Sequence, residues 1–206
     1  MLSKKALCHN WKLYVITSKT HPKRSLVETI ELAIKGGASV VQLRDKQLSD
    51  EAFVQAGKRL LEVTRRYGVT LIVNDRIEAA ALIGADGVHL GQDDATLGQA
   101  RRILGADRLI GRSTHSPEQA MRAIEEGFDY IGVGPVFATP TKPAYQPVGI
   151  ELVRFAAKHV PVPFVAIGGI DAGNVHRVRE AGARTVAVVR AVMNAKDPEK
   201  AAKELL

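Results

Sequence analysis

One cysteine, one tryptophan and no long apolar run set the first limits on this chain of 206 residues. Cys8 alone cannot form an intramolecular disulfide, which excludes a small scaffold stapled by such bonds. No uninterrupted apolar stretch approaches the roughly 20 residues that a membrane-crossing helix requires, so no membrane partner is expected. The opening stretch Met1–Lys12 carries charge without an apolar core of signal-peptide length, and a cytoplasmic location is the expectation. Aromatics are scarce at five Phe, four Tyr and one Trp. None interleaves with a basic cluster as a base-stacking platform demands, so no nucleic-acid partner is expected. Acidic residues number 22 against 29 basic ones, a net charge of +7. The excess is dispersed in pairs such as Lys4-Lys5, Lys23-Arg24, Arg65-Arg66 and Arg101-Arg102, which read as solvated helix faces. A phosphorylated small molecule is the partner class left for it.

What is present is an ordinary globular composition, 46% apolar and 25% charged, arranged with a strong rhythm. Short runs rich in Val and Ile fall at 13–17, 39–43, 71–73, 86–90, 108–111, 129–133, 163–167 and 185–189. Amphipathic stretches separate them. In 51–66, Phe53, Val54, Ala56, Leu60, Leu61 and Val63 fall on one helical face, with Lys58, Arg59, Glu62 and Arg65 on the other. Ser116 followed by Pro117 reads as a helix start, and Asp171 as a weaker one. Gly36, Gly84, Gly127 and Gly182 follow helical patterns, where a left-handed cap is wanted. Nearly continuous apolar strands joined by helices imply a parallel sheet covered on both faces. Eight such units, about 26 residues each, predict a single-domain α/β fold over 1–206, a TIM-type (β/α)8 barrel. A doubly wound open sheet is the second arrangement.

Parallel α/β proteins bind ligands at the carboxyl ends of their strands, so the residues that follow each run carry the functional information. After the second run, alternation puts Gln42, Arg44 and Lys46 on one side, two cations together, which suits a bound anion; Asp45 offers a local neutralising partner instead. Asp75 and Asp94 follow adjacent runs and can share one hard cation with substrate oxygens, a usual Mg2+ arrangement, although Asp94 also reads as a helix N-cap. The scattered histidines give no zinc spacing. Ser113 and Thr114 offer hydroxyls, and His115 a proton carrier. Gly134 to Gly149 is long and proline-framed, and it reads as a lid presenting Thr139, Thr141 and Lys142. Gly168-Gly169 before a helix, and the turn at Val189-Arg190, suit an anion held by backbone N–H groups.

Gln-Leu-Arg-Asp-Lys at 42–46, Asn-Asp-Arg at 74–76, Ala-Asp-Gly-Val-His-Leu-Gly-Gln-Asp-Asp at 85–94, Gly-Pro-Val-Phe-Ala-Thr-Pro-Thr-Lys at 134–142 and Ala-Ile-Gly-Gly-Ile at 166–170 together resemble the thiamine-phosphate synthase family. The resemblance spans almost the whole chain. It implies a homo-oligomeric, Mg2+-dependent (β/α)8 enzyme that joins a hydroxymethylpyrimidine diphosphate to a thiazole phosphate, as its carboxylate or a tautomer, and releases diphosphate. It further implies that Gln42, Arg44, Lys46 and Asn74 bind the pyrimidine diphosphate and that Asp75 and Asp94 hold Mg2+. Ser113 and Lys142 would complete the diphosphate side, with Arg44, Lys46, Ser113 and Lys142 forming the catalytic group. Thr139, Thr141, Gly169 and the backbone of Val189 and Arg190 would hold the thiazole phosphate. Arg190 is a departure, since Ser is frequent there. Two other readings stand beside this one: a thiazole tautomerase using His115, and a non-catalytic sensor of phosphorylated ligands.

Overall fold

Every Val- and Ile-rich run of the sequence becomes a parallel strand, and each is followed by a helix that covers it. The computed structural model describes residues 8, 10–18, 24–139 and 146–206. In order the elements are β1 Leu13–Ile16, α1 Leu26–Lys35, β2 Ala38–Leu43, α2 Asp50–Tyr67, β3 Thr70–Asn74, α3 Ile77–Ile83, β4 Gly87–Leu90 and α4 Leu97–Leu104. There follow β5 Leu109–Thr114, α5 Pro117–Glu126, β6 Tyr130–Val133, α6 Gly149–His159, β7 Phe164–Ile167, α7 Val175–Glu180, β8 Thr185–Val188, α8 Arg190–Met193 and α9 Pro198–Lys203. The strands pair in sequence order, and β8 pairs with β1 to close an eight-stranded barrel. The open-sheet alternative is therefore excluded.

The strand periodicity of two sorts side chains into two apolar layers. Leu13, Val15, Val41, Leu43, Leu71, Val73, Val88, Leu90 and Ile110 belong to the cluster packed against the helices. Tyr14, Ile16, Val40, Ile72, Leu109, Tyr130, Val165 and Ala187 belong to a second cluster with Cys8 and Trp11. Trp11 meets the Tyr14 and Tyr130 rings edge-on at 5.8 and 5.0 Å, and its Nε1 donates to Thr70 Oγ1 at 3.2 Å. Full burial of each such aliphatic side chain stabilises the fold by about 1.5–3 kcal/mol. This apolar filling makes the barrel a packed core rather than a pore, leaving one end for ligands.

Local signals set most helix ends. Ser116 accepts from the Gln119 N–H with Pro117 in the first turn, as expected. Left-handed glycines cap α3 at Gly84 and α5 at Gly127. At the other two joins the positive-φ glycine falls one residue past the cap. The α1 cap Gly36 is right-handed and Gly37 takes the positive φ; α7 is capped by Ala181, one residue before Gly182. Asp171 does not start α7 either: it accepts from the Gly173 N–H in a tight turn, and the helix begins after Asn174. Among the described residues no helix is long and apolar enough to cross a membrane.

Candidate active site

The carboxyl ends of the strands open into a cavity of about 520 Å³. Gln42, Arg44, Asn74, Ser113, Thr139, Gly169, Val189 and Arg190 all line it, so the structure brings together both expected halves of the site. Asp75, Asp94 and Lys46 stand beside this space rather than on its wall. Thr141 and Lys142 lie outside the described residues.

The end of β2 is fixed by Thr17, whose Oγ1 accepts from the Arg44 N–H at 2.8 Å and donates to the Arg44 carbonyl at 3.0 Å. Gln42 and Arg44 face the cavity on the expected common side. Lys46 does not join them on the wall. Asp45 Oδ1 accepts from the Gln47 and Leu48 N–H groups at 2.8 and 3.1 Å, which turns the chain and ends the alternation. Asp45 is thus spent on the turn rather than on neutralising Arg44 or Lys46. Arg76, next to the expected cation ligand, serves the same loop: its guanidinium donates to the Asp45 and Leu48 carbonyls, pairs with Asp50 and lies 4.4 Å from the Phe53 ring centroid.

Asp75 is the one non-glycine with positive φ among the described residues, at 61°. Aspartate tolerates this left-handed region better than most residues, but at some cost in strain. The Asp94 carboxyl is the nearest acidic neighbour acting on Asp75. Partial burial, then the Asp94 carboxyl, push the Asp75 carboxyl up to about 6, against the opposing pull of Lys46. Asp94 does not cap a helix. Its Oδ2 accepts from the Gly91 N–H at 2.6 Å, and Thr96 with Gln99 forms the capping box of α4. The carboxyl of Asp94 is therefore aimed by its own loop at Asp75. Arg112 fastens that loop, donating to the Gln92 and Ala95 carbonyls. Two neighbouring carboxyls fit a hard divalent cation, whose charge would offset their repulsion. No group of three or more His, Cys, Asp or Glu residues with metal-binding spacing occurs among the described residues, so such a cation would draw its other oxygens from ligand or water.

On β5, Ser113 Oγ lies 2.9 Å from His89 Nε2. The neighbouring Thr114 is not an available hydroxyl, because it donates to the Gly132 carbonyl at 2.8 Å inside the wall. His115 lines the cavity with Nδ1 against the Gly134 carbonyl at 2.5 Å. The described start of the expected lid is tied to β7, with Val136 N–H donating to Ile167 at 2.8 Å and Phe137 N–H to Gly168 at 2.9 Å. Gly169 has a φ of 64°, and a Cβ there would fall 2.6 Å from the Ala138 carbonyl. The glycine is therefore required by loop packing as well as by any anion. Asn174 Nδ2 donates to the Gly169 carbonyl at 2.8 Å and holds that peptide in place. Across from it, α8 begins at Arg190, and its Val192 and Met193 N–H groups bond to the Val189 carbonyl at 3.3 and 2.9 Å, so the turn opens with the Arg190 and Ala191 N–H groups. The Arg190 side chain is exposed on the rim.

Among the lining residues to which the sequence reading gave no role are Tyr14, His89 and Tyr130. Each sits inside an apolar run at an inward position, and that phase was the available signal.

A family model described as thiamine monophosphate synthase matches residues 13–192. The chain belongs to the thiamine monophosphate synthase family. A thiamine-phosphate synthase from Thermus thermophilus is 50% identical over 198 residues, covering 94% of this chain and 95% of its own length. One from a Synechocystis strain is 50% identical over 194 residues and 94% of this chain, which spans 56% of that relative's length. A solved thiamine phosphate pyrophosphorylase from Pyrococcus furiosus superposes with a TM-score of 0.88 at 37% identity, covering 97% of this chain and 95% of that one. These relatives carry the name of the synthase rather than of an isomerase or a sensor. Within this family fold, the cavity runs from Gln42 and Arg44 to Gly169 and Arg190, and Asp75 follows the lining residue Asn74.

Proposed function

We propose that the chain is a thiamine-phosphate synthase. It would join 4-amino-2-methyl-5-hydroxymethylpyrimidine diphosphate to a thiazole phosphate, as carboxylate or tautomer, giving thiamine phosphate and diphosphate. Beside family membership, one observation carries this reading. A single cavity runs from Gln42, Arg44, Asn74 and Ser113 to Thr139, Gly169, Val189 and Arg190, so two phosphorylated halves can meet in one space.

Departure of diphosphate from the pyrimidine methylene puts negative charge on the leaving group and positive charge on an electron-rich ring. Arg44 and Lys46, with Lys142, supply the fixed positive charge that this requires, with no proton transfer to the leaving group. Mg2+ held by Asp75 and Asp94 would add Lewis-acid stabilisation of diphosphate oxygens. The thiazole nitrogen then attacks the methylene, and the work of the chain is positioning. Ser113 and Asn74 orient the diphosphate half; Thr139, Thr141 and the N–H groups near Gly169 and Arg190 orient the thiazole phosphate. The same reading includes a cytoplasmic homo-oligomer. Leu82, Ile103 and Met121, exposed on the consecutive helices α3, α4 and α5, offer an apolar contact for the second copy. Incubation with both substrate halves, with and without Mg2+, tests the activity. Thiamine phosphate formation that requires Mg2+ is expected; no carbon–nitrogen bond formation under any divalent cation would overturn the reading.

A further inference from the structure

Beneath the cavity, four hydrogen bonds join five side chains from five strands into one line across the barrel. Gln42 Nε2 donates to the Tyr14 hydroxyl at 2.7 Å. The Tyr14 and Tyr130 hydroxyls meet at 3.3 Å, and Tyr130 meets His89 Nδ1 at 3.1 Å. His89 Nε2 then reaches Ser113 Oγ at 2.9 Å. Missing side chains make the room. A Cβ at Gly111 would lie 2.2 Å from the Tyr130 ring, and one at Gly132 would lie 3.2 Å from His89 Cε1.

The line has a direction. An amide nitrogen can only donate, so the Tyr14 oxygen accepts from Gln42, and the Tyr130 oxygen is the partner in reach of the Tyr14 proton. If Tyr130 in turn donates to His89 Nδ1, the ring must carry its one proton on Nε2, where it meets Ser113 Oγ. Ser113, already an acceptor from below, has its own proton left to give. Had Gln42 offered its carbonyl oxygen instead, each bond would reverse and Ser113 would face the cavity as an acceptor. Burial pushes both tyrosine hydroxyls above their ordinary range, so each keeps the single proton that this direction needs.

We propose that the Gln42–Tyr14–Tyr130–His89 line fixes Ser113 as a hydrogen-bond donor toward an anionic oxygen in the cavity, with Tyr130 as the central positioning residue. This deepens the synthase reading and rests on it, since that reading supplies diphosphate as the anion. It also explains why a serine beside a histidine is no activated nucleophile here: the histidine donates to it instead of taking its proton.

The direction can be read without any ligand. Long-range 1H–15N spectra of the full chain labelled with [15N]histidine, with His89→Gln assigning the signal, should show His89 protonated at Nε2 and bare at Nδ1. The opposite tautomer overturns the proposal, as does an equal mixture. In Tyr130→Phe the preference should collapse to a mixture; an unchanged tautomer would remove Tyr130 from the line. Calorimetry with inorganic diphosphate and Mg2+ supplies the second readout. Tyr130→Phe should weaken binding about 3–10-fold, the scale of one hydrogen bond. Ser113→Ala should weaken it at least as much, and the double variant no more than Ser113→Ala alone. Additive losses would mean that Tyr130 does not act through Ser113. A wild-type chain that neither binds diphosphate nor couples the two halves overturns the synthase reading, whereas the tautomer still decides the direction of the line.

Discussion

Asp75→Asn should make the metal-free protein more stable at neutral pH while removing its activity. Asn is close to isosteric with Asp and is well tolerated at the positive φ of 61° found there, so the backbone need not change. What changes is the charge. Lifting a carboxyl from 3.8 to about 6 corresponds to about 3 kcal/mol of penalty on its ionised form. Asp75 is only half-buried, and solvent screening reduces this to about 1–2 kcal/mol. The sign follows from the folded-state value lying above the unfolded one. Below about pH 4 both states hold the proton and the penalty is absent; it grows as pH rises, and above about 6 it is complete. Urea denaturation in EDTA across pH 4–8 measures it, given reversible two-state unfolding. The Asn variant should gain about 1–2 kcal/mol over wild type at pH 7.5, with the gap closing toward pH 4. With Mg2+ and diphosphate restored, wild type should recover the lead. An Asn variant no more stable than wild type at pH 7.5 would refute the idea that burial and the Asp94 carboxyl together disfavour an ionised Asp75.

Arg44→Gln should lower the rate of coupling by about 10²-fold or more, the scale of removing a preorganised charge-stabilising donor, and steady-state kinetics on both halves would show it. Only a small loss would take Arg44 off the leaving group. Lys142→Ala should depress kcat more than it raises KM for the thiazole phosphate, because the charge it meets develops in the transition state. A pure KM effect on the thiazole half would move Lys142 to the other end of the cavity. Gly169→Ala should cost about 2 kcal/mol or more in stability, from its φ of 64° and the 2.6 Å approach to the Ala138 carbonyl, and should raise KM for the thiazole phosphate. Unchanged thermal stability would show that the loop behind Gly169 yields.

The repeated βα phrase and the strand phases were legible in the sequence because both depend on neighbours a few residues apart. So were Gln42 and Arg44, since period-two alternation continues through β2. It fails at Lys46 because the Asp45 side chain accepts two N–H groups and turns the backbone. Asp94 as a helix cap was misread, although Thr96 and Gln99 stand at capping-box spacing two residues on. The carboxyl of Asp94 was free for the site because Thr96 does the capping. The line beneath the cavity was not legible at all. Its Tyr14–Tyr130 bond joins residues 116 positions apart and exists only once the barrel closes.

The same contrast explains where the excess positive charge goes. Arg76, Arg101 and Arg112 are committed to structure: they hold carbonyls of the β2–α2, α4–β5 and β4–α4 connections, and Arg101 also pairs with Asp129. Arg44, Lys46 and Arg190 have no ion pair among the described residues. Among the described residues, Arg44 and Arg190 thus stand without an ion pair at the two ends of the cavity, and Lys46 lies near the Asp75–Asp94 carboxyls. A polyanion satisfies the cations and brings oxygens of the kind a hard divalent cation lacks when only two carboxylates hold it. A divalent cation relieves the carboxyls and strengthens the hold on the polyanion. Each therefore raises the affinity for the other by the same factor, as linkage requires. On the synthase reading proposed above, diphosphate and a divalent cation would each favour the other at this site, and the affinity of either alone would be the lower one.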